Sequence, residues 1–177
     1  SYHAAAVGSV YIPQLAGLTA IPVLAPQFIA QYAPAVGYED VGIFVSQAGE
    51  TEDVLNALEA AEKRGMACFG LANVVGSTLT KATSFCLPLC CGYEISVPAT
   101  KTFTNQVVTS LYLAYRLAGK DTSELLRIPE LMEQTIEMVG PQIEAIAKDI
   151  NEWNDMYCLG YGATYPIALE GALKLKE

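Results

Sequence analysis

The segment 46–51, Ser-Gln-Ala-Gly-Glu-Thr, joins a continuous apolar run to a stretch with helical periodicity, and it carries two hydroxyl side chains. In open α/β sheets, ligands bind where strands end, and a helix N-terminus offers unpaired N–H groups to a phosphate. Ser46 and Thr51 would add hydroxyl donors, and Gly49 would let the backbone approach an anion closely. The pattern predicts a phosphate site, but a strand that ends at Ser46 and a helix capped by Thr51 explain it equally well.

Two other segments lie at the ends of strand-like runs. Residues 94–101 lead into a long helical pattern. They also fit a helix start with Pro98 in its first turn and with Thr100 and Lys101 on a solvated face. Residues 76–79, Gly-Ser-Thr-Leu, are more typical of an ordinary capped short helix.

Three charged side chains near the end of the chain, Glu170, Lys174 and Glu177, are spaced to share one helical face. A carboxylate can move a proton between neighbouring sugar carbons, and an ammonium can stabilise the enediolate that forms. These groups would fit the acid–base chemistry of an aldose–ketose isomerisation, but the spacing does not establish it. Taken alone, it favours an exposed, salt-bridged face, in which each pair contributes about 0.2–0.5 kcal/mol.

Composition limits the possible functions. The 177 residues are 52% apolar and carry a formal charge of -9, with no run of Lys or Arg, which argues against a nucleic-acid partner. An acidic protein must bind an anion locally, through N–H and hydroxyl groups. The apolar stretches are shorter than a membrane span of about 20 residues, and no signal peptide is recognisable, so we expect no membrane association.

The cysteines and the histidine exclude further kinds of site. There are five cysteines and one histidine, His3, without a CxxC pair, so we expect no metal site and no cofactor. Most of the cysteines lie inside apolar, strand-like runs, and Cys91 directly follows Cys90. We therefore expect reduced thiols and a cytoplasmic location.

The elements that would position these residues alternate along the chain. Residues 41–45, 67–72 and 84–91 are strand-like, a shorter strand is expected at 21–24, and helical patterns cover 4–15 and 51–64. A long helix begins near Pro98, ends at Gly119 and shows an apolar stripe formed by Phe103, Val107, Leu111, Ala114 and Ala118. This alternation predicts a three-layer α/β/α sandwich with a parallel sheet and right-handed crossovers.

The last third of the chain shows a different pattern of helix and strand signals. Residues 123–153 are helical, with interruptions at Pro129 and at Gly140-Pro141, and a strand at 156–159 precedes a helix near Pro166. Residues 1–8 and 164–171 share the pattern [S/T]-Y-x-x-A-x-x-G. We interpret residues 1–121 as a first domain without its first strand, 122–154 as a helical connector, and 155–177 as the truncated start of a second such domain.

Four motifs carry a family resemblance, and they occur in order at residues 45–51, 72–77, 94–103 and 165–177. Together they resemble the isomerase region of the glutamine–fructose-6-phosphate aminotransferase family. The resemblance implies two flavodoxin-like sugar-isomerase (SIS) domains that bind fructose 6-phosphate or glucosamine 6-phosphate. It also implies a homodimer, and a nitrogen transfer only where a glutaminase domain accompanies the isomerase.

The same resemblance implies a role for individual residues. Glu177 matches the proton-shuttling carboxylate, and Lys174 matches a lysine that assists ring opening and isomerisation. The matches for sugar and phosphate binding are Ser1, Ser46, Gln47, Ala48, Thr51 and, through its backbone, Val97.

Ala48 departs from the family pattern, which has a serine there. Losing the hydrogen bond of that serine would weaken phosphate binding by about 1–3 kcal/mol unless the backbone N–H of residue 48 replaces it.

Two other functions remain open, an amino-sugar-phosphate deaminase and a phosphosugar sensor. A sensor needs the Ser46–Thr51 segment but not Lys174 and Glu177, so their presence favours an enzyme. We expect residues 1–177 to be inactive in isolation, because other family catalytic residues have no match in them.

Overall fold

The computed structural model describes residues 1–96 and 98–177. The strands are β1 (Val41–Ser46), β2 (Ala67–Ala72) and β3 (Phe85–Pro88). The helices are α1 (Tyr2–Ala16), α2 (Ala25–Gln27, continued by a π-helical turn, Phe28–Tyr32), α3 (Glu52–Glu62), α4 (Thr78–Ala82), α5 (Lys101–Leu117), α6 (Ile128–Ile150, preceded by a 3-10 turn, Ser123–Arg127) and α7 (Thr164–Lys176). No helix of this described part is both long and apolar enough to cross a membrane.

The three strands form a parallel sheet in the order β1-β2-β3, which confirms the predicted α/β class. Ser46 lies opposite Ala72, and Ala72 lies opposite Pro88, so the three strands end together. The loops that follow them therefore meet at one edge, where parallel α/β sheets bind ligands. β3 is shorter than the predicted strand at 84–91, because Cys90 has a φ of 53° and turns the chain.

One face of the sheet is covered by α3 and α4. Leu58 and Ala61 of α3 pack with Cys68 and Ala72 of β2 and with Leu79 of α4, and all five are at most 3% exposed. Burying a leucine side chain of this kind contributes about 1.5–3 kcal/mol. This small core fixes the β1–α3 corner and the start of α4 relative to the end of the sheet.

Helix α1 packs closely against α5. A Cβ on Gly8 would lie only 3.0 Å from the Cβ of Ser110, so glycine allows the close approach of the two helices. The buried stripe of α5 consists of Thr102, Gln106, Ser110 and Ala114. The apolar stripe predicted for this helix shares only Ala114 with the buried one, and its other members, Phe103, Val107, Leu111 and Ala118, are half-buried. Small and polar side chains face α1 because bulky ones would hold the helices apart.

Three further expectations are corrected. Residues 21–24 do not form a strand: Pro22 lacks the N–H that a sheet ladder needs, and the chain enters α2 directly. Residues 156–159 are not a strand either, because no strand in the described ranges pairs with them. Helix α6 begins with Pro129 in its first turn, but it continues through Gly140-Pro141. Glu137, whose carbonyl loses its donor at Pro141, is exposed, so water can satisfy it.

Candidate functional site

A pair of hydroxyls marks the corner between β1 and α3. Ser46 is 3% exposed, and its Oγ accepts the N–H of Gly49 at 3.0 Å. The same Oγ lies 3.2 Å from Oγ1 of Thr51. Thr51 occupies the N-cap position of α3, yet within the described structure its side chain makes no capping bond. Its hydroxyl is instead held beside Ser46, which argues against a role limited to capping.

Gly49 is required at this corner for two reasons. Its φ is 70°, a left-handed conformation that side chains disfavour, and a Cβ here would overlap Oγ of Ser77. The Gly49 carbonyl also accepts the N–H of Leu79 at 3.0 Å. The buried Gly49 therefore holds the loop directly on the start of α4.

Internal carboxylates occupy the N-termini of α4 and α5. Glu50 accepts the hydroxyl of Thr78 at 2.7 Å and its N–H at 2.8 Å, and Glu94 accepts the N–H of Thr102 at 3.0 Å and its hydroxyl at 2.8 Å. The pKa of Glu50 is lowered first by the hydrogen bond from the Thr78 hydroxyl and then by the one from the Thr78 N–H. The pKa of Glu94 is lowered first by the Thr102 N–H and then by the Thr102 hydroxyl.

Both helix starts are thus already charge-compensated. The segments at 76–79 and 94–101 are therefore poor anion sites. Within the two described ranges, no carboxylate hydrogen-bonds to the first N–H groups of α3, so the Ser46–Thr51 corner differs from the other two.

A cavity of about 250 Å³ lies between the starts of α1 and α5 and the last turns of α7. Gln106, buried in α5, donates from Nε2 to Oγ of Ser1 at 2.9 Å and so fixes that hydroxyl. The polar side chains that line the cavity include Ser1, His3, Gln47, Gln106, Lys174 and Glu177. Gln47 directly follows Ser46, so it links this cavity to the hydroxyl corner.

A second, more open space of about 380 Å³ shares Gln47 as a lining residue. Asn73 shapes it by donating to the carbonyl of Gly92 at 2.7 Å and accepting the N–H of Cys91 at 3.1 Å. Its other walls include Tyr93 and Glu94, but the Glu94 carboxylate already accepts two hydrogen bonds from Thr102, so the smaller cavity is the stronger candidate for chemistry.

The charged face of α7 forms one wall of the smaller cavity. Lys174 Nζ lies 3.1 Å from Glu170 Oε1 and 3.3 Å from Glu177 Oε2, while Nδ1 of His3 lies 2.7 Å from Glu170 Oε2. The side chains of Glu170, Lys174 and Glu177 are 10%, 26% and 30% exposed. The face is salt-bridged, as its spacing suggests, but it is not fully solvated: Glu170 is buried and Lys174 is half-buried, while Glu177 stays exposed.

The ionisation of this face follows from its contacts. Burial raises the pKa of the Glu170 carboxyl, but the hydrogen bonds from His3 and Lys174 outweigh it, so the pKa lies below its usual value. Partial desolvation lowers the pKa of Lys174, but the two neighbouring carboxylates raise it further than burial lowers it. Lys174 therefore stays cationic, and Glu170 stays anionic with both oxygens engaged.

Comparison with known proteins decides the family. The model of the family described as "SIS domain" matches residues 1–116. The chain belongs to the SIS domain family. Over its whole length, it is 41% identical to the isomerizing glutamine–fructose-6-phosphate aminotransferase of Pyrobaculum aerophilum and 40% identical to that of Aquifex aeolicus. The SIS chain spans about 30% of the length of each of these relatives.

A solved structure supports the same assignment. The C-terminal domain of glucosamine-fructose-6-phosphate aminotransferase from Francisella tularensis superimposes on all of this SIS chain with a TM-score of 0.87 at 26% identity. The chain covers 53% of that domain. The resemblance seen in the four motifs is thereby confirmed.

The SIS fold brings most of the expected site residues into two adjoining places. Ser1, Gln47, Lys174 and Glu177 line the cavity, while Ser46 and Thr51 meet at the corner next to Gln47. Ala48, half-buried, follows Gln47 in the same loop. Val97 lies outside the described residues.

Sequence reasoning did not assign His3 or Gln106 to the site of this SIS domain. For Gln106, a signal exists in the spacing of Thr102, Gln106 and Ser110, which places small or polar side chains at every fourth position of a helix. For His3 no local signal exists, because its partner Glu170 lies 167 residues away in the sequence.

Proposed function

We propose that this SIS domain binds a hexose 6-phosphate, such as fructose 6-phosphate or glucosamine 6-phosphate, and contributes the acid–base pair for its aldose–ketose isomerisation. The observation that carries this proposal is the cavity shared by Ser1, Gln47, Lys174 and Glu177, which come from separate parts of the chain. It adjoins a corner whose hydroxyls and helix N-terminus suit a phosphate.

The phosphate would lie at the β1–α3 corner. Ser46 and Thr51 offer hydroxyls, α3 offers N–H groups at its positive end, and Ser1 adds a hydroxyl fixed by Gln106. The backbone N–H of Ala48 would replace the missing serine hydroxyl, and the backbone of Val97 would contact the sugar. Amides and hydroxyls of this kind can bind an anion in a protein with a formal charge of -9.

Glu177 would move the proton between C1 and C2 of the open-chain sugar. One of its oxygens pairs with Lys174, which leaves the other for the substrate. Removing a proton from C1, next to the C2 carbonyl, gives an enediolate, and the Lys174 ammonium would stabilise its negative oxygen. Glu177 would return the proton to C2, and the hydroxyl proton would pass from O1 to O2 as the new carbonyl forms at C1. Glu170 has both oxygens occupied, so its role would be to hold Lys174.

For the full-length protein, we propose the conversion of fructose 6-phosphate to glucosamine 6-phosphate, with nitrogen from glutamine where a glutaminase domain is present. The support is the name shared by the relatives at 41% and 40% identity. A phosphosugar sensor would have no use for the Lys174–Glu177 pair at the cavity. A deaminase would use the same residues, and product analysis separates it from an aminotransferase.

The remaining proposals concern organisation. We propose a first SIS domain at 1–121, a connector at 122–154 and the start of a second SIS domain at 155–177. The end of the first domain lies close to the end of the family match at residue 116.

A homodimer would cover exposed apolar side chains of α6, among them Ile136, Met138, Ile143 and Ile146. The five free cysteines suit a cytoplasmic location. Sedimentation of the full-length protein tests the dimer.

The binding half of the proposal is tested with the 177-residue chain itself. Backbone amide NMR is recorded while fructose 6-phosphate, fructose or inorganic phosphate is added. We expect fructose 6-phosphate to shift the amides of residues 46–52 and of the α7 wall, and inorganic phosphate to shift only the former. Equal responses to fructose and fructose 6-phosphate would remove the phosphate assignment.

A further inference from the structure

The only histidine of the sequence connects the two ends of the described structure. His3 lies in the first turn of α1, and its Nδ1 is 2.7 Å from Oε2 of Glu170 in α7, across 167 positions. The two side chains are 20% and 10% exposed, and both residues line the cavity that contains Lys174 and Glu177. The bond therefore belongs to the wall of the candidate site.

The two carboxylate oxygens of Glu170 have different partners. Oε2 receives the hydrogen bond from His3, and Oε1 lies 3.1 Å from Lys174 Nζ. Glu170 as a whole is 8% exposed, so water has little access to replace a lost partner. A carboxylate oxygen that is buried without a donor is strongly unfavourable, and it competes for any cation nearby.

Lys174 lies between two carboxylates that compete for it. Its ammonium is 3.1 Å from Glu170 and 3.3 Å from Glu177. Without the hydrogen bond from His3 to Oε2, both oxygens of Glu170 would attract the Lys174 ammonium, which would move toward Glu170 and away from Glu177. With that oxygen satisfied by His3, Glu170 holds the ammonium through one oxygen only, and the ammonium remains at the cavity beside Glu177.

We propose that His3 is a positioning residue: it saturates one oxygen of Glu170, so that Glu170 holds Lys174 beside Glu177. The proposal rests on the isomerase function proposed above and adds a residue to its machinery. In this arrangement His3 donates from Nδ1 and transfers no proton to the sugar. An asparagine at the same position can offer its side-chain N–H₂ close to where Nδ1 lies, so it would preserve the effect.

The first arm of the test needs no activity. Because His3 is the only histidine, selective ¹⁵N-histidine labelling of the 177-residue chain gives the signals of one imidazole. The ¹⁵N shifts at neutral pH should show a proton on a hydrogen-bonded Nδ1, and Glu170→Gln should shift them. Identical ¹⁵N shifts in the wild type and in Glu170→Gln would overturn the His3–Glu170 contact on which the proposal depends.

The second arm measures deuterium incorporation into fructose 6-phosphate in D₂O with the full-length protein. His3→Ala should lower kcat by about tenfold or more with little change in KM, because the reacting groups are misplaced while the phosphate contacts remain. His3→Asn should recover most of kcat. Lys176→Ala, an exposed change on the same helix, serves as the control and should match the wild type.

The outcomes separate the two proposals. A wild type that binds fructose 6-phosphate without exchanging its proton contradicts the isomerase function, whereas the ¹⁵N arm still reports on the contact. A wild type that exchanges, with His3→Ala equally active, overturns the positioning role alone. Equal loss in His3→Asn and His3→Ala also overturns it, in favour of proton transfer by the imidazole itself.

Discussion

Oγ of Ser46 lies 3.2 Å from Oγ1 of Thr51, which joins the end of β1 to the N-cap of α3. The two residues are five positions apart, and the loop between them contains Gly49 in a left-handed conformation. The hydroxyls and the first N–H groups of α3 therefore face the same edge of the sheet. This relationship is the physical basis for a phosphate site without cationic side chains.

Thr51→Val tests the hydroxyl corner. Valine keeps the shape of threonine but removes a donor, so the affinity for fructose 6-phosphate should fall by about 1–3 kcal/mol. The affinity for unphosphorylated fructose should not change, because the hydroxyl is assigned to the phosphate. Isothermal titration of both sugars measures the difference, and a similar loss for both would contradict the assignment.

Ala48→Ser tests the departure from the family pattern. Ala48 is half-buried in the loop between Gln47 and Gly49, where a serine hydroxyl would add one donor. The affinity for fructose 6-phosphate should rise by about 1 kcal/mol. An unchanged dissociation constant would mean that the backbone N–H alone is sufficient. Ala5→Ser, a change of the same kind in α1, serves as the control.

The corner formed by Ser46 and Thr51 illustrates how much of the fold can be predicted from the sequence. A continuous apolar run followed by a hydroxyl, a glycine and a helix start identifies a strand–loop–helix corner, and β1, β2, α3 and α5 follow the local patterns. The contact between Ser46 and Thr51 is also local, because it closes the single loop between β1 and α3.

Long-range packing limits the prediction elsewhere. The polar stripe of α5 is buried because Gly8 lets α1 approach, and the His3–Glu170 bond depends on how α1 meets α7. Residues 156–159 have strand-like composition, but a strand needs a neighbour to pair with, and composition does not supply one. Local periodicity contains no information on these relationships.

Gly49→Ala tests the close approach of the loop to α4. Gly49 and Gly76 both have positive φ, at 70° and 85°, but only a Cβ at Gly49 would overlap Ser77, while a Cβ at Gly76 would meet open space. Each substitution should lose about 1–2 kcal/mol of stability from the backbone conformation. Gly49→Ala should lose clearly more than Gly76→Ala in urea unfolding, and equal losses would contradict the close approach.

Glu50→Gln tests the internal carboxylate at the start of α4. The pKa of Glu50 is lowered by the Thr78 hydroxyl and then by the Thr78 N–H, so its ionised form is favoured in the folded state. The stabilisation is complete above the pKa of an unfolded glutamate, about 4.3, and is lost as the pH falls through the lower folded pKa.

The unfolding midpoint of Glu50→Gln should therefore lie below that of the wild type at neutral pH, and the two should converge in acid. Glu39→Gln, at an exposed position, serves as the control. A difference between wild type and Glu50→Gln that stays constant from neutral pH into acid would contradict the role of the charge.

The most direct test of the proposed chemistry is solvent deuterium incorporation into fructose 6-phosphate, measured with the full-length wild type and with Glu177→Gln. We expect the wild type to incorporate deuterium at the reacting carbon. The variant should lose at least about 100-fold in rate while its affinity for the sugar phosphate stays the same, because glutamine keeps the shape but cannot carry the proton. Incorporation at the wild-type rate by Glu177→Gln would contradict the assignment of Glu177 as the proton carrier.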